Sequence, residues 1–233
     1  MRVSLRLGRI FGIPIEVNVS WVFIFLLLTY LLAGQFGDTR LRWPLAQQWG
    51  VAFITVMLFF LSVLSHELSH SAMALRKGIQ VRGITLFIFG GVSHLDREPP
   101  GPFTEFVVTL AGPLVSIILS VIFGIAWYLL GRGDSPLEIV LLLLAWANFG
   151  LGVFNLVPGY PLDGGRLLRA AIWAFTGDYR KATQVSAGMG QAVGLAMVLG
   201  GVFLAIFTEP IDGIWLALLG LFLLSMARTS FFK

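Results

Sequence analysis

Six stretches of this chain are each apolar enough and long enough to cross a lipid bilayer, and they leave little room for any other fold. They run over about 19–36, 50–75, 104–131, 136–158, 182–208 and 211–230. A hydrocarbon core ~30 Å thick needs about 20 such residues per helix. Charged residues make up only 12% of the chain, about half the roughly 25% of a soluble domain. The expectation is an all-α membrane protein of six transmembrane helices. The N-terminus does not read as a cleavable signal, because Arg2, Arg6 and Arg9 lead into a stretch broken by glycine and proline instead of a short apolar region with a small-residue cleavage site.

The distribution of charge says more than its sum. The net charge of +4 would hint at nucleic acid in a soluble protein; here it reads as topology, and no nucleic-acid partner is expected. With the N-terminus inside, thirteen of the 16 Lys and Arg fall on the inner side, and only Arg40, Arg42 and Arg132 fall outside. That bias predicts a multi-pass protein of the cell membrane with both termini cytoplasmic. Cysteine is absent, which rules out disulfides and thiolate metal sites.

Within the second apolar run lies His66-Glu67-Leu68-Ser69-His70. From Val51 to Leu75 its two histidines and one glutamate are the only titratable side chains. Groups of this kind at bilayer depth cost several kcal/mol each unless a partner compensates them, and a metal ion is the obvious partner. Positions i and i+4 share one face of a helix, so His66 and His70 can present imidazoles to one cation, with Glu67 beside it. Two imidazoles suit Zn²⁺, and a catalytic zinc needs a third protein ligand and an open position for water. An adjacent carboxylate can then take the water's proton, which is why the helical H-E-x-x-H pattern marks metalloproteases. His66 lies ten residues from Arg76, or ~15 Å along a helix, so the site is expected inside the membrane, nearer the cytoplasm.

A second motif follows the fourth apolar run, where residues Asn155 to Gly165 read N-x-x-P-x-x-P-x-D-G-G. Pro158 and Pro161 should end or kink the span. Gly164 and Gly165 permit close approach and positive φ, letting Asp163 turn inward as a helix over Arg166–Phe175 begins. Asp163 is the candidate third metal ligand; its alternative role is an N-cap for that helix. Asn155 could hydrogen-bond to another helix or donate to a substrate carbonyl oxygen or its oxyanion.

These residues resemble the site-2 protease family of intramembrane zinc metalloproteases. The likeness is carried by His66 to His70, by Asn155 to Gly165, by Gly90-Gly91 and by Ala111-Gly112-Pro113; Gly12-Ile13-Pro14-Ile15 and the six-span layout extend it. The resemblance implies one zinc per chain held by His66, His70 and Asp163, with Glu67 as base, in a single polytopic metalloprotease domain over residues 1–233. It implies cleavage of a transmembrane protein substrate, often after another protease has trimmed it, in a lipid bilayer. Some branches add a PDZ domain or paired CBS domains. Neither is read in this sequence, so a minimal member or a membrane core cut from a longer protein is expected.

Two stretches alternate too closely for helices. Gly12–Val19 places Ile13, Ile15, Val17 and Val19 on one face, the pattern of a half-buried strand. Residues 79–95, with Val81, Ile84, Leu86 and Ile88 before the Gly90-Gly91 break, predict a hairpin near the cytoplasmic membrane boundary. An exposed edge there could pair with an unwound substrate by strand addition, or the sheet could simply cap the site. His94 reads as an exposed loop residue. Gly190 and Gly194 predict close helix packing in the fifth span. An ion transporter is the competing function, since intramembrane ionisable groups also mark ion pathways. Glu67 favours the enzyme, because a transporter has no special need of an acid beside the first histidine. A catalytically dead scaffold is disfavoured because none of the four expected residues is replaced.

Overall fold

The computed structural model describes residues 4–37 and 43–231, with side chains through Arg228. Arg2, Arg40, Arg42 and Lys233, used above in weighing the charge bias, lie outside the described residues. The chain divides into two compact units. The first comprises the residues up to Arg97 with Ala111–Gly152, the second Glu98–Leu110 with Val153 onward.

In chain order the elements are β1 (Ser4–Ile10), β2 (Ile13–Asn18), α1 (Val19–Gly37), α2 (Leu45–Arg76), β3 (Val81–Phe87), β4 (Gly90–Leu95), α3 (Pro102–Leu129), α4 (Pro136–Asn155), α5 (Asp163–Thr176), α6 (Tyr179–Phe207) and α7 (Pro210–Phe231). All but α5 among the helices are long and apolar enough to span a membrane. Pro102, Pro136 and Pro210 each open a helix, where the N–H that proline lacks would be unpaired in any case. Large apolar side chains lie exposed along these helices, among them Phe23, Leu26, Ile206 and Phe207. Hydrocarbon, not water, solvates such faces, and the protein is a multi-pass membrane protein.

In the first unit, a four-stranded sheet runs β1-β2-β3-β4. β1 and β2 form an antiparallel hairpin, β2 and β3 pair in parallel, and β3 and β4 form a second antiparallel hairpin. The first hairpin turns at Phe11 and Gly12, whose φ values are 52° and 80°; positive φ at both central residues matches the twist of the flanking strands. Ile13, Ile15 and Ile84 bury against Leu64, Leu68 and Leu75 of α2, while Val17 and Leu86 bury against Val63. The sheet therefore lies along the helix that carries the histidines. Ala33 and Phe36 of α1, Val51 and Ala52 of α2, and Val140 and Leu144 of α4 make a further cluster in the same unit.

Several expectations are corrected here. Val19 begins α1 and is exposed, so the strand's inward face ends at Val17. Strand β1 was not anticipated; six of its seven residues are exposed, leaving no buried alternation to read. His94 lies on β4, not in a loop; it is exposed and its Nε2 is 3.1 Å from Thr85 Oγ1. The fourth span ends at Asn155, before Pro158.

In the second unit, α6 and α7 pack through glycines. A Cβ on Gly194 would come within 3.0 Å of Gly220 O, and one on Gly201 within 2.6 Å of Gly213 O, so backbones meet where side chains are missing. Gly190 approaches the Tyr160 carbonyl more closely still, a Cβ there falling 1.8 Å from Tyr160 O. Glu105 of α3 is fully buried and pairs with Arg169 of α5, whose guanidinium also lies over the rings of Tyr160 and Tyr179.

Candidate active site

Two buried histidines of α2 face one another. His66 and His70 are 3% and 6% exposed, and their Nε2 atoms are 3.2 Å apart. Two nitrogens bound tetrahedrally to one zinc at 2.0–2.1 Å stand about 3.3 Å apart, so the pair already has the spacing of two ligands. His66 Nδ1 lies 2.9 Å from Ser116 Oγ of α3. In the tautomer whose Nδ1–H donates to that hydroxyl, Nε2 is left to offer its lone pair, as in most metal-bound histidines.

The space in front of the two nitrogens is kept open by a glycine. A Cβ on Gly112 of α3 would stand 2.1 Å from His70 Nε2 and 2.6 Å from His66 Nε2. Both distances are far inside van der Waals contact, so only glycine leaves room here. The first unit thus offers two convergent imidazoles and a cradle that a single methyl group would fill, and this donor set fits zinc.

Glu67 is held from the sheet. Its Oε2 accepts a hydrogen bond of 2.7 Å from Ser93 Oγ of β4, and a Cβ on Gly91 would come within 2.5 Å of Glu67 Cγ. Gly91 and Ser93 sit two apart on one strand, so they share a face. One turn of α2 before His66, Ser62 Oγ accepts from Nδ2 of Asn148, a fully buried residue of α4.

Asp163 and Asn155 belong to the second unit. Asp163 is the first residue of α5 and is 9% exposed; Leu162 holds the N-cap position. The helix starts three residues earlier than expected, and Asp163 is not its N-cap. Gly164 and Gly165 do not adopt positive φ, but their close approach is as expected. A Cβ on either would come within 2.2 Å of backbone, at Leu156 O and Tyr160 N respectively. Ser186 of α6 donates to Gly165 O, tying this turn to the neighbouring helix. Asn155 is the last residue of α4 and half-buried.

The residues that contact His66, Glu67 and their helix are not singled out by the sequence. Ser116 and Asn148 stand out only as polar residues in apolar runs. Ser93 carries no signal, because its role depends on a contact with Glu67 across 26 positions.

Comparison with known proteins agrees with this geometry. Residues 54–139 and 133–200 match Peptidase family M50. A protein of Synechocystis sp., provisionally named a zinc metalloprotease, is 38% identical over 99% of this chain and 60% of its own length. A zinc metalloprotease of Methanocaldococcus jannaschii is 36% identical over 86% of this chain and 55% of its own length, so the chain spans less than two thirds of these relatives. The structure of the site-2 protease from the same archaeon superimposes with a TM-score of 0.68 at 33% identity, covering 98% of this chain and 95% of that one. With the family profile covering most of the chain and the H-E-x-x-H histidines converging as zinc ligands would, the protein belongs to peptidase family M50, the site-2 protease family.

Proposed function

We propose that this chain is a single metalloprotease domain that hydrolyses peptide bonds within or next to transmembrane segments of membrane-protein substrates. The observation that carries the reading is the pair of imidazole Nε2 atoms, 3.2 Å apart before the Gly112 cradle and next in sequence to Glu67. His66, His70 and Asp163 would hold the zinc. When bound, zinc supplies a Lewis acid that brings a water's pKa near neutrality and polarises a carbonyl.

Glu67 acts as the proton carrier. Its carboxylate accepts a proton from the attacking water and returns it to the leaving amine nitrogen, so the peptide C–N bond breaks as the new C–O bond is completed. Asn155 donates from its side-chain amide to the oxygen of the scissile carbonyl as charge develops there. Asp163 supports a ligand role in two ways: it is nearly buried, and Leu162, not Asp163, takes the N-cap position. The outer edge of β4 receives the substrate as an added strand; a transmembrane helix must unwind for this, since its carbonyls are otherwise occupied. The site lies within the bilayer on the cytoplasmic side, both termini are cytoplasmic, and the substrate arrives after trimming by another protease.

The test compares purified wild type with Glu67→Gln and Asp163→Asn. Zinc content is measured, and each protein is incubated with candidate membrane substrates. Glu67→Gln should keep its zinc and lose cleavage, and Asp163→Asn should lose zinc. Full zinc in Asp163→Asn would return that residue to a helix-terminal role. Zinc release that tracks ion movement into liposomes, without cleavage, would favour a transporter.

A further inference from the structure

Among the described residues, β4 has β3 on one side and no strand on the other. It is also the strand whose side chains reach the glutamate between the two histidines. Ser93 Oγ lies 2.7 Å from Glu67 Oε2 and 3.2 Å from Ser71 Oγ of α2. Ser71 is fully buried.

A serine hydroxyl has one proton to give. Its possible acceptors are Glu67 Oε2 at 2.7 Å and the Glu67 backbone carbonyl at 3.2 Å; the shorter contact is to the carboxylate, and hydrogen bonds to a charged acceptor are roughly twice as strong as neutral ones. Ser93 therefore donates to Glu67, and Ser71 donates into Ser93. This small relay fixes one carboxylate oxygen of Glu67. Gly91, two residues earlier on the same face, removes the side chain that would otherwise displace Glu67 Cγ. The Gly91-Val92-Ser93 segment thus supplies both room and a donor for one carboxylate.

We propose that Ser93 is a positioning residue for Glu67, and that it ties the orientation of this base to the strand on which an extended substrate segment docks. The inference rests on the protease reading above. Two roles meet on one six-residue strand. Its outer edge pairs with no strand among the described residues and is open to an added peptide strand, and its inward face holds the proton carrier through Ser93. A peptide that stiffens β4 also stiffens the Ser93 hydroxyl, so Glu67 is best aligned when substrate is in place.

The experiment uses the full chain in detergent. Ser93→Ala, Ser93→Thr, Glu67→Gln and the Ser93→Ala/Glu67→Gln double variant are compared for zinc content, kcat and KM on one membrane-protein substrate. Ser93→Ala should keep its zinc and its KM within about twofold while kcat falls roughly tenfold, since small misplacements of a reacting group cost up to about 10²-fold. Ser93→Thr keeps the hydroxyl and should recover most of kcat. The Glu67→Gln proteins with and without Ser93→Ala should hold equal zinc.

A second readout does not need cleavage. Infrared difference spectra of protein with ¹³C-labelled glutamate should show a shifted carboxylate stretch in Ser93→Ala, and the difference should vanish in the Glu67→Gln background. Wild-type kcat in Ser93→Ala or an unchanged carboxylate band would overturn the inference. A wild-type protein that cleaves no membrane substrate, yet shows the infrared difference, would sink the protease reading and leave the Ser93–Glu67 link standing.

Discussion

Ser116 Oγ lies 2.9 Å from His66 Nδ1, and this contact decides which ring nitrogen faces the Gly112 cradle. Removing it frees the imidazole to rotate and to change tautomer. Outer partners of metal-bound histidines are worth about 10–100-fold in metal affinity. Ser116→Ala should weaken zinc binding by that factor in a chelator competition, with helix content by circular dichroism unchanged.

Gly112→Ala puts a methyl group 2.1 Å from His70 Nε2. The added carbon occupies the space a cation would take, and α3 cannot yield without moving backbone. Purified Gly112→Ala protein should hold less than about a tenth of the wild-type zinc, a loss on the scale of removing a ligand's supporting shell. Metal analysis of the detergent-purified protein checks this.

Glu105 and Arg169 form a buried ion pair in the second unit, 0% and 5% exposed. Removing Arg169 leaves Glu105 only the more distant Arg166, 3.9 Å away; breaking a buried pair costs about 3–5 kcal/mol, whereas replacing both with neutral residues of similar volume is often close to neutral. Arg169→Ala should lower the thermal unfolding midpoint sharply. Glu105→Gln combined with Arg169→Met should restore most of it.

On the amino-terminal hairpin, hydrogen bonds from Arg6 and Ser4 hold the Glu16 carboxyl below the usual carboxylate range. A depressed pKa contributes stability that is present above the unfolded value and is lost as pH falls through the folded one. An NMR titration of Glu16 should show a low midpoint that rises in Arg6→Ala. A midpoint unmoved by that change would assign the shift to Ser4 alone.

The parts of this molecule written in local periodicity were legible. The spans show as long apolar runs, and Ile13, Ile15 and Val17 show as an alternating face. His66 and His70 could be paired because a helix fixes the geometry of a four-residue interval. β3 was harder: the register shifts between Val81 and Gly83, and such a bulge lets Val81 and Ile84 both turn inward despite their odd separation. β1 was invisible, since both of its faces are exposed and its turn uses Phe11-Gly12 instead of an asparagine–glycine pair. The turn around Asp163 shows in its prolines and glycines, but the position of Asp163 as the first residue of α5 required coordinates. Ser93 and Ser116 act only through contacts 26 and 50 positions away, and nothing local announces them.

The parallel pairing of β2 with β3 carries a consequence for biogenesis. The two strands flank α1 and α2, so both apolar helices must be placed before the strands can meet. Until α2 is inserted, the amino-terminal hairpin has no partner and Glu67 has no sheet to lean on. The sheet therefore cannot close, nor Ser93 reach Glu67, until both of those helices are in place.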